Sequence, residues 1–72
     1  MAKKVRIYCA LAGRDTSPWF EITRAEWLPN GKIKEDLLEK SQRFTNRDAC
    51  DAAGALARDA WIAKDPDATS GL

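Results

Sequence analysis

Cys9 and Cys50 are the only thiols in this 72-residue chain, and they stand 41 positions apart. A cysteine nucleophile needs a neighbouring base to hold it as thiolate, and the sequence contains no histidine. A zinc site would have to complete two lone cysteines with carboxylates, because no Cys-x-x-Cys pair is present. Reduced, buried thiols are the simpler expectation. The carboxylates fall mostly in turns and on polar helix positions, so no acid–base pair is marked out. The sequence thus nominates no catalytic residue, no metal and no cofactor, and the expectation is a non-enzymatic protein.

The remaining chemistry is recognition, and it is concentrated in Ser17 to Trp27, "SPWFEITRAEW". Trp19 and Trp27 are eight residues apart, so a regular strand points both to one face and Phe20 and Ile22 to the other. With Val5, Ile7, Cys9 and Leu11 of a preceding strand turned inward, Tyr8 stands beside the two tryptophans on the outer face. Tyr8, Trp19, Glu21 and Trp27 then form a candidate partner-binding cluster, aromatic with a charged rim as interface centres are. A bulge at Thr23-Arg24 is the competing arrangement. It resets the alternation, sends Phe20, Ile22, Ala25 and Trp27 into the core and displays Trp19 alone. Its attraction is that a regular strand puts Arg24 and Glu26 on the buried side.

The elements that position these residues read as follows. Lys3 to Ala12 alternates as a strand, Gly13 to Pro18 is a loop, and Trp19 to Leu28 is a second, antiparallel strand. Pro29-Asn30-Gly31-Lys32 contains an Asn-Gly hairpin signal. A hairpin tight at Asn30-Gly31 sets Glu26 opposite Glu35, which disfavours pairing there. The expectation is therefore a loose or partly helical stretch, then a strand from Leu38 to Phe44. A long helix follows, capped by Thr45 with Asp48 at the third position and Phe44 stapled onto Ala49. Its predicted inner stripe is Ala49, Ala52, Ala53, Leu56, Ala60 and Ala63. Gly54 in mid-helix, with Ala57 and Trp61, reads as a close-packing strip covered by the tryptophan. Lys64-Asp65-Pro66 ends the helix.

The fold class that results is α+β, a small antiparallel sheet of two or three strands with one long C-terminal helix on one face (ββ(β)α). Residues 1–66 form the domain and residues 67–72 a flexible tail. The longest uncharged apolar run, Ile7 to Gly13, is far too short to span a membrane, and the basic N-terminus lacks a following apolar core. The expected location is cytoplasmic.

Strands followed by a helix entered through Phe44-Thr45…Ala49 resemble the arm-binding domains of phage integrases and the plant ethylene-response factors. The resemblance implies a sheet inserted in the DNA major groove; if DNA is bound, the basic residues Arg6, Arg14, Arg24 and Lys32 are the candidates for nucleic acid. Charge is modest for that role: residues 1–32 carry six basic and three acidic side chains, a net +3, and residues 33–72 carry six and eight, a net −2. The leading expectation is a protein-interaction module, self-associating or acting as an accessory or inhibitor protein, that binds through the sheet. DNA binding is the alternative.

Overall fold

The computed structural model describes residues 4–68. Strand β1 (Lys4–Ala12) pairs antiparallel with β2 (Trp19–Trp27) in an unbroken register from Lys4 opposite Trp27 to Ala12 opposite Trp19. Strand β3 (Ile33–Lys40) completes a sheet of order β1-β2-β3, and helix α1 (Arg47–Lys64) packs on one face. The expected α+β fold is present, with three strands.

The third strand begins five residues earlier than the sequence suggested, and Pro29 is the reason. A two-residue Asn-Gly turn needs a positive φ at both central residues, yet only Gly13 and Gly31 have positive φ among the described residues. Proline at the first turn position favours an ordinary type I turn instead. The Gly31 amide donates to the Leu28 carbonyl at 3.0 Å, and the Leu28 amide donates to Lys32 at 2.8 Å. The result is a three-residue loop in which Gly31, at φ 83°, supplies the left-handed step. The register moves by one, so Glu26 meets Lys34 rather than Glu35. The expected like-charge clash is gone, and the strand continues through a segment expected to be loose or helical.

The alternation question also resolves. Strand β2 has no bulge at Thr23-Arg24; the irregularity lies opposite it, where Ile22 faces Glu39 and Thr23 faces Leu37, leaving Leu38 as an extra residue in β3. Arg24 therefore does lie on the helix side. Its guanidinium bonds Asp65, the residue that caps the helix C-terminus, at 2.6 Å and Glu26 at 2.9 Å. A cation on the covered face is tolerated because two carboxylates meet it.

The core consists of Val5, Ile7, Phe20 and Ile22 from the strands and Cys50 from the helix, with Leu11, Leu38, Phe44, Ala57 and Trp61 around it. The helix presents a different face from the predicted alanine stripe. Cys50, Gly54, Ala57, Trp61 and Ile62 turn toward the sheet, while Ala49, Ala52, Leu56, Ala60 and Ala63 are exposed, Leu56 by 74%. Gly54 selects this face. A Cβ built there would stand 2.6 Å from Cys9 Sγ and 3.3 Å from Phe20. Only a glycine lets the helix seat so closely, and seating there buries the larger Trp61 and Ile62 instead of methyl groups. The close packing expected of Gly54 is present, but its partners are Cys9 and Phe20 of the sheet rather than the expected Trp61. Both cysteines are free, and burial pushes their thiols up from the ordinary value.

The helix cap moves by one residue. Asn46, not Thr45, is the N-cap, its Oδ1 accepting from the Asp48 and Ala49 amides at 2.7 and 3.1 Å. Asparagine ranks at least as high as threonine in this role. Phe44, two residues before the cap, packs against the core cluster that includes Cys50; its ring lies 6.0 Å from Phe20 and its amide donates to the Pro18 carbonyl. Past the helix, Ala68 bridges Val5 in parallel, and residues 69–72, the rest of the expected tail, lie outside the described residues.

Two stability measurements follow. Gly54→Ala should destabilise by about 1–3 kcal/mol through overpacking, against the roughly 1 kcal/mol that alanine normally gains in a helix. Cys9→Ala in the same chain should recover most of that loss, as read by urea unfolding. Asp65→Asn should cost about 1.5–3 kcal/mol at neutral pH, the usual worth of a hydrogen bond to a charged group. The Arg24 guanidinium holds the Asp65 carboxyl below its ordinary value. The contribution is therefore full above about pH 4 and disappears as pH falls through the lowered pKa, so wild type and variant should converge in acid.

Candidate functional site

One helix covers one face of the sheet, and nothing in the described chain covers the other. The unbroken β1–β2 register and the β2–β3 pairs place five rungs on that open face. From the loop end to the turn end they are Ala12 and Trp19; Ala10, Glu21 and Lys40; Tyr8, Thr23 and Leu37; Arg6, Ala25 and Glu35; Lys4, Trp27 and Ile33. All four members of the predicted partner-binding cluster, Tyr8, Trp19, Glu21 and Trp27, therefore share one surface.

Their roles within it differ. Trp19 is clasped: its ring lies where a Cβ on Gly13 would come within 2.5 Å, its indole N–H donates to Glu21 at 2.9 Å, and Lys40 and Arg43 stand over it at 5.3 and 4.6 Å. Arg43 also donates to Ser17 in the same loop. Gly13 has φ 84°, so both its backbone and its missing side chain are needed for Trp19 to fold over the turn. Trp19 is a clamp on the β1–β2 loop as much as a displayed ring. Trp27 lies at the opposite end, with Lys4 at 5.3 Å over its ring and Ile33 as its cross-strand partner. Ile33 is 50% and Leu37 59% exposed, two of the three large aliphatic side chains left in solvent among the described residues. With Trp27 they form an apolar strip from the turn end to the middle rung of the face.

Sequence reasoning missed Ile33 and Leu37 because it placed them in a loose segment, and the signal that could have found them was Pro29 ahead of Asn-Gly. It also missed Lys4, Lys40 and Arg43, which the sheet brings over the aromatic rings. Ala25 lies on the open side yet is buried, a short side chain between Arg6 and Glu35.

The predicted nucleic-acid residues are not brought together. Arg6 is on the open face, its guanidinium 6.0 Å from the Tyr8 ring. Arg14 lies in the β1–β2 loop and Lys32 in the turn at the far end of the sheet. Arg24 is on the opposite face, engaged by Glu26 and Asp65.

The helix side offers a smaller feature. The backbone of α1 runs over β1 and β2 and stays clear of β3. The gap is a cavity of about 230 Å³ beside Ile7, Arg24, Leu38, Trp61 and Asp65. It is below the range of about 300–1,000 Å³ usual for ligand sites. Of its charged walls, Arg24 and Asp65 are paired with each other and Lys64 lies over the Trp61 ring at 5.2 Å, while the Trp61 indole N–H donates to Glu39 at 2.9 Å. Among the described residues no group of three or more histidine, cysteine or acidic side chains could hold a metal ion, and no helix is long and apolar enough to cross a membrane.

No family model, no curated protein and no solved structure matches the chain. The open face is therefore interpreted from its own residues.

Substitution separates the clamp from the display. Trp19→Ala should lower stability by about 2 kcal/mol, through lost burial and a freed loop. Leu37→Ala should stay within about 0.5 kcal/mol of wild type, as exposed positions do. Thermal and urea unfolding of both variants would show whether the two residues divide in this way.

Proposed function

We propose that this chain is a non-enzymatic protein-interaction module that binds a polypeptide partner through the open face of its sheet. The observation that carries the proposal is the composition of that face. Half-buried Trp27 and exposed Ile33 and Leu37 form an apolar strip, and the charges around it are of both signs, Lys4, Arg6 and Lys40 with Glu21 and Glu35. Tryptophan, tyrosine and arginine are the residues that contribute most when a protein surface is buried. Carboxylates within the face fit a polypeptide partner better than a polyanion, since phosphate binding depends on an uninterrupted basic surface. The stranded, one-sided architecture supports the same reading, because a sheet with a single helix leaves a flat platform of fixed side chains.

Nucleic acid is the second reading, and the cation-bearing rings favour it: aromatic platforms flanked by lysine and arginine also stack bases. The dispersal of Arg6, Arg14, Arg24 and Lys32 weighs against it.

Affinity capture from the native host distinguishes the two. Wild-type bait should retain a protein partner that Trp27→Ala and Leu37→Glu baits lose, while Leu56→Glu, on the far side of the helix, retains it. Duplex DNA should show no salt-dependent binding at low ionic strength. Capture unaffected by the face variants, or DNA affinity that falls steeply with added salt, would count against the protein reading.

A further inference from the structure

The occupant of the open face can be narrowed by asking which surface its five rungs complement. Take two copies face to face, related by a two-fold axis lying in the interface across the strands and passing over the middle rung. Each strand then lies above its own equivalent, run in reverse. The middle rung meets itself, Leu37 on Leu37, Tyr8 on Tyr8 and Thr23 on Thr23. The rung of Arg6, Ala25 and Glu35 meets the rung of Ala10, Glu21 and Lys40. The rung of Lys4 and Trp27 meets Ala12 and Trp19.

These pairings are complementary in both charge and shape. Glu35 falls on Lys40 of the second copy, twice by symmetry. Arg6 falls on Ala10, Lys4 on Ala12 and Glu21 on Ala25, so each remaining long charged side chain meets an alanine. Trp27 falls on Trp19. No two like charges share a rung position; Lys4 over the Trp27 ring comes toward Lys40 and Arg43 over Trp19, and Lys40 is drawn off by Glu35. The other in-plane axis, along β2, also sets Arg6 on Glu35 and Tyr8 on Leu37, but it brings Glu21 onto Glu21, an unpaired like-charge contact that the first axis avoids. The register that generates this pattern is fixed by the unbroken β1–β2 ladder and the Pro29 turn. Glu35 makes no ion pair or hydrogen bond within its own chain among the described residues. It is a charge available for a partner.

We infer that the partner seated on the open face is a second copy of this chain, in a two-fold, face-to-face sandwich with Glu35 of each copy on Lys40 of the other. This rests on the proposal that the open face is a protein-binding surface, and it adds the occupant. Nine residues at about 3.3 Å and three strands about 4.8 Å apart give a face of roughly 30 by 15 Å, enough to bury about 1,000 Å² in total. That is the lower limit for specific contacts, so the dimer should be reversible and concentration-dependent. Strand directions in the two sheets should lie within about 30° of each other, as in aligned sandwiches.

The test is sedimentation equilibrium on the whole chain across micromolar to millimolar concentration, with circular dichroism confirming that each variant is folded. The 8.0 kDa chain should approach twice its mass. Glu35→Lys and Lys40→Glu should each weaken the dimer at least tenfold, and the double exchange E35K/K40E should restore it to within about threefold of wild type. Glu35 and Lys40 are five residues apart in one strand, about 17 Å, so rescue reports contact between copies. Ala10→Arg, an exposed position that Arg6 of the second copy must occupy, should abolish the dimer. A strict monomer at millimolar concentration, or single variants that the double exchange does not rescue, would overturn the inference. If the chain is monomeric while a captured protein is still lost by the Trp27 and Leu37 variants, the second copy is wrong and the binding face stands. If the face variants leave both dimer and capture unchanged, the underlying proposal fails as well.

Discussion

The contact between Gly54 and Cys9 governs the rest of this molecule. At 2.6 Å from a would-be Cβ to the sulfur, it sets how closely the helix approaches and which of its faces turns inward. Once seated there, the helix lies over β1 and β2 and leaves β3 uncovered by backbone. Side chains then span the gap, Trp61 to Glu39 near one edge and Arg24 to Asp65 at the helix end. A single helix held to one face leaves the opposite face in solvent. The display of Tyr8, Trp27 and Leu37 is thus a consequence of packing on the other side.

The second constraint is local and concerns one backbone dihedral. Pro29 converts an Asn-Gly signal from a two-residue to a three-residue loop, and the shift of one residue changes the meaning of every side chain in β3. Ile33, Glu35, Leu37 and Lys40 come to the open face, while Lys34, Asp36 and Glu39 turn toward the helix side. The extra residue at Leu38 lets that side chain reach the core before the alternation resumes. Charge follows the same logic. The cations of the open face lie against aromatic rings, so their charge is held in place without a carboxylate beside each one.

Much of the fold was legible in the residues. Strands β1 and β2 follow from clean alternation and β-branched content, and the helix from its cap, its periodicity and the proline behind Asp65. What escaped was relational. The alanine stripe and the Cys50–Trp61 face are both periodic, and only the sheet's own shape shows that a missing Cβ matters more than extra methyl groups. Arg24 argued for a bulge because its partner, Asp65, is 41 residues away and invisible to local reasoning. The candidate site divided in the same manner: Tyr8, Trp19, Glu21 and Trp27 could be grouped from alternation alone, whereas Ile33 and Leu37 depended on a turn geometry that was assigned to the wrong type.

The central claim is that the face opposite the helix is the working surface. Amide chemical shifts of the isotopically labelled chain, followed as protein concentration rises, test it residue by residue. The account predicts that Tyr8, Ala10, Thr23, Glu35 and Leu37 move together and fit one association constant, while Ala52, Leu56 and Ala60 on the outer helix face stay fixed. Shifts that cluster around Leu56, with the sheet rungs unmoved, would contradict it.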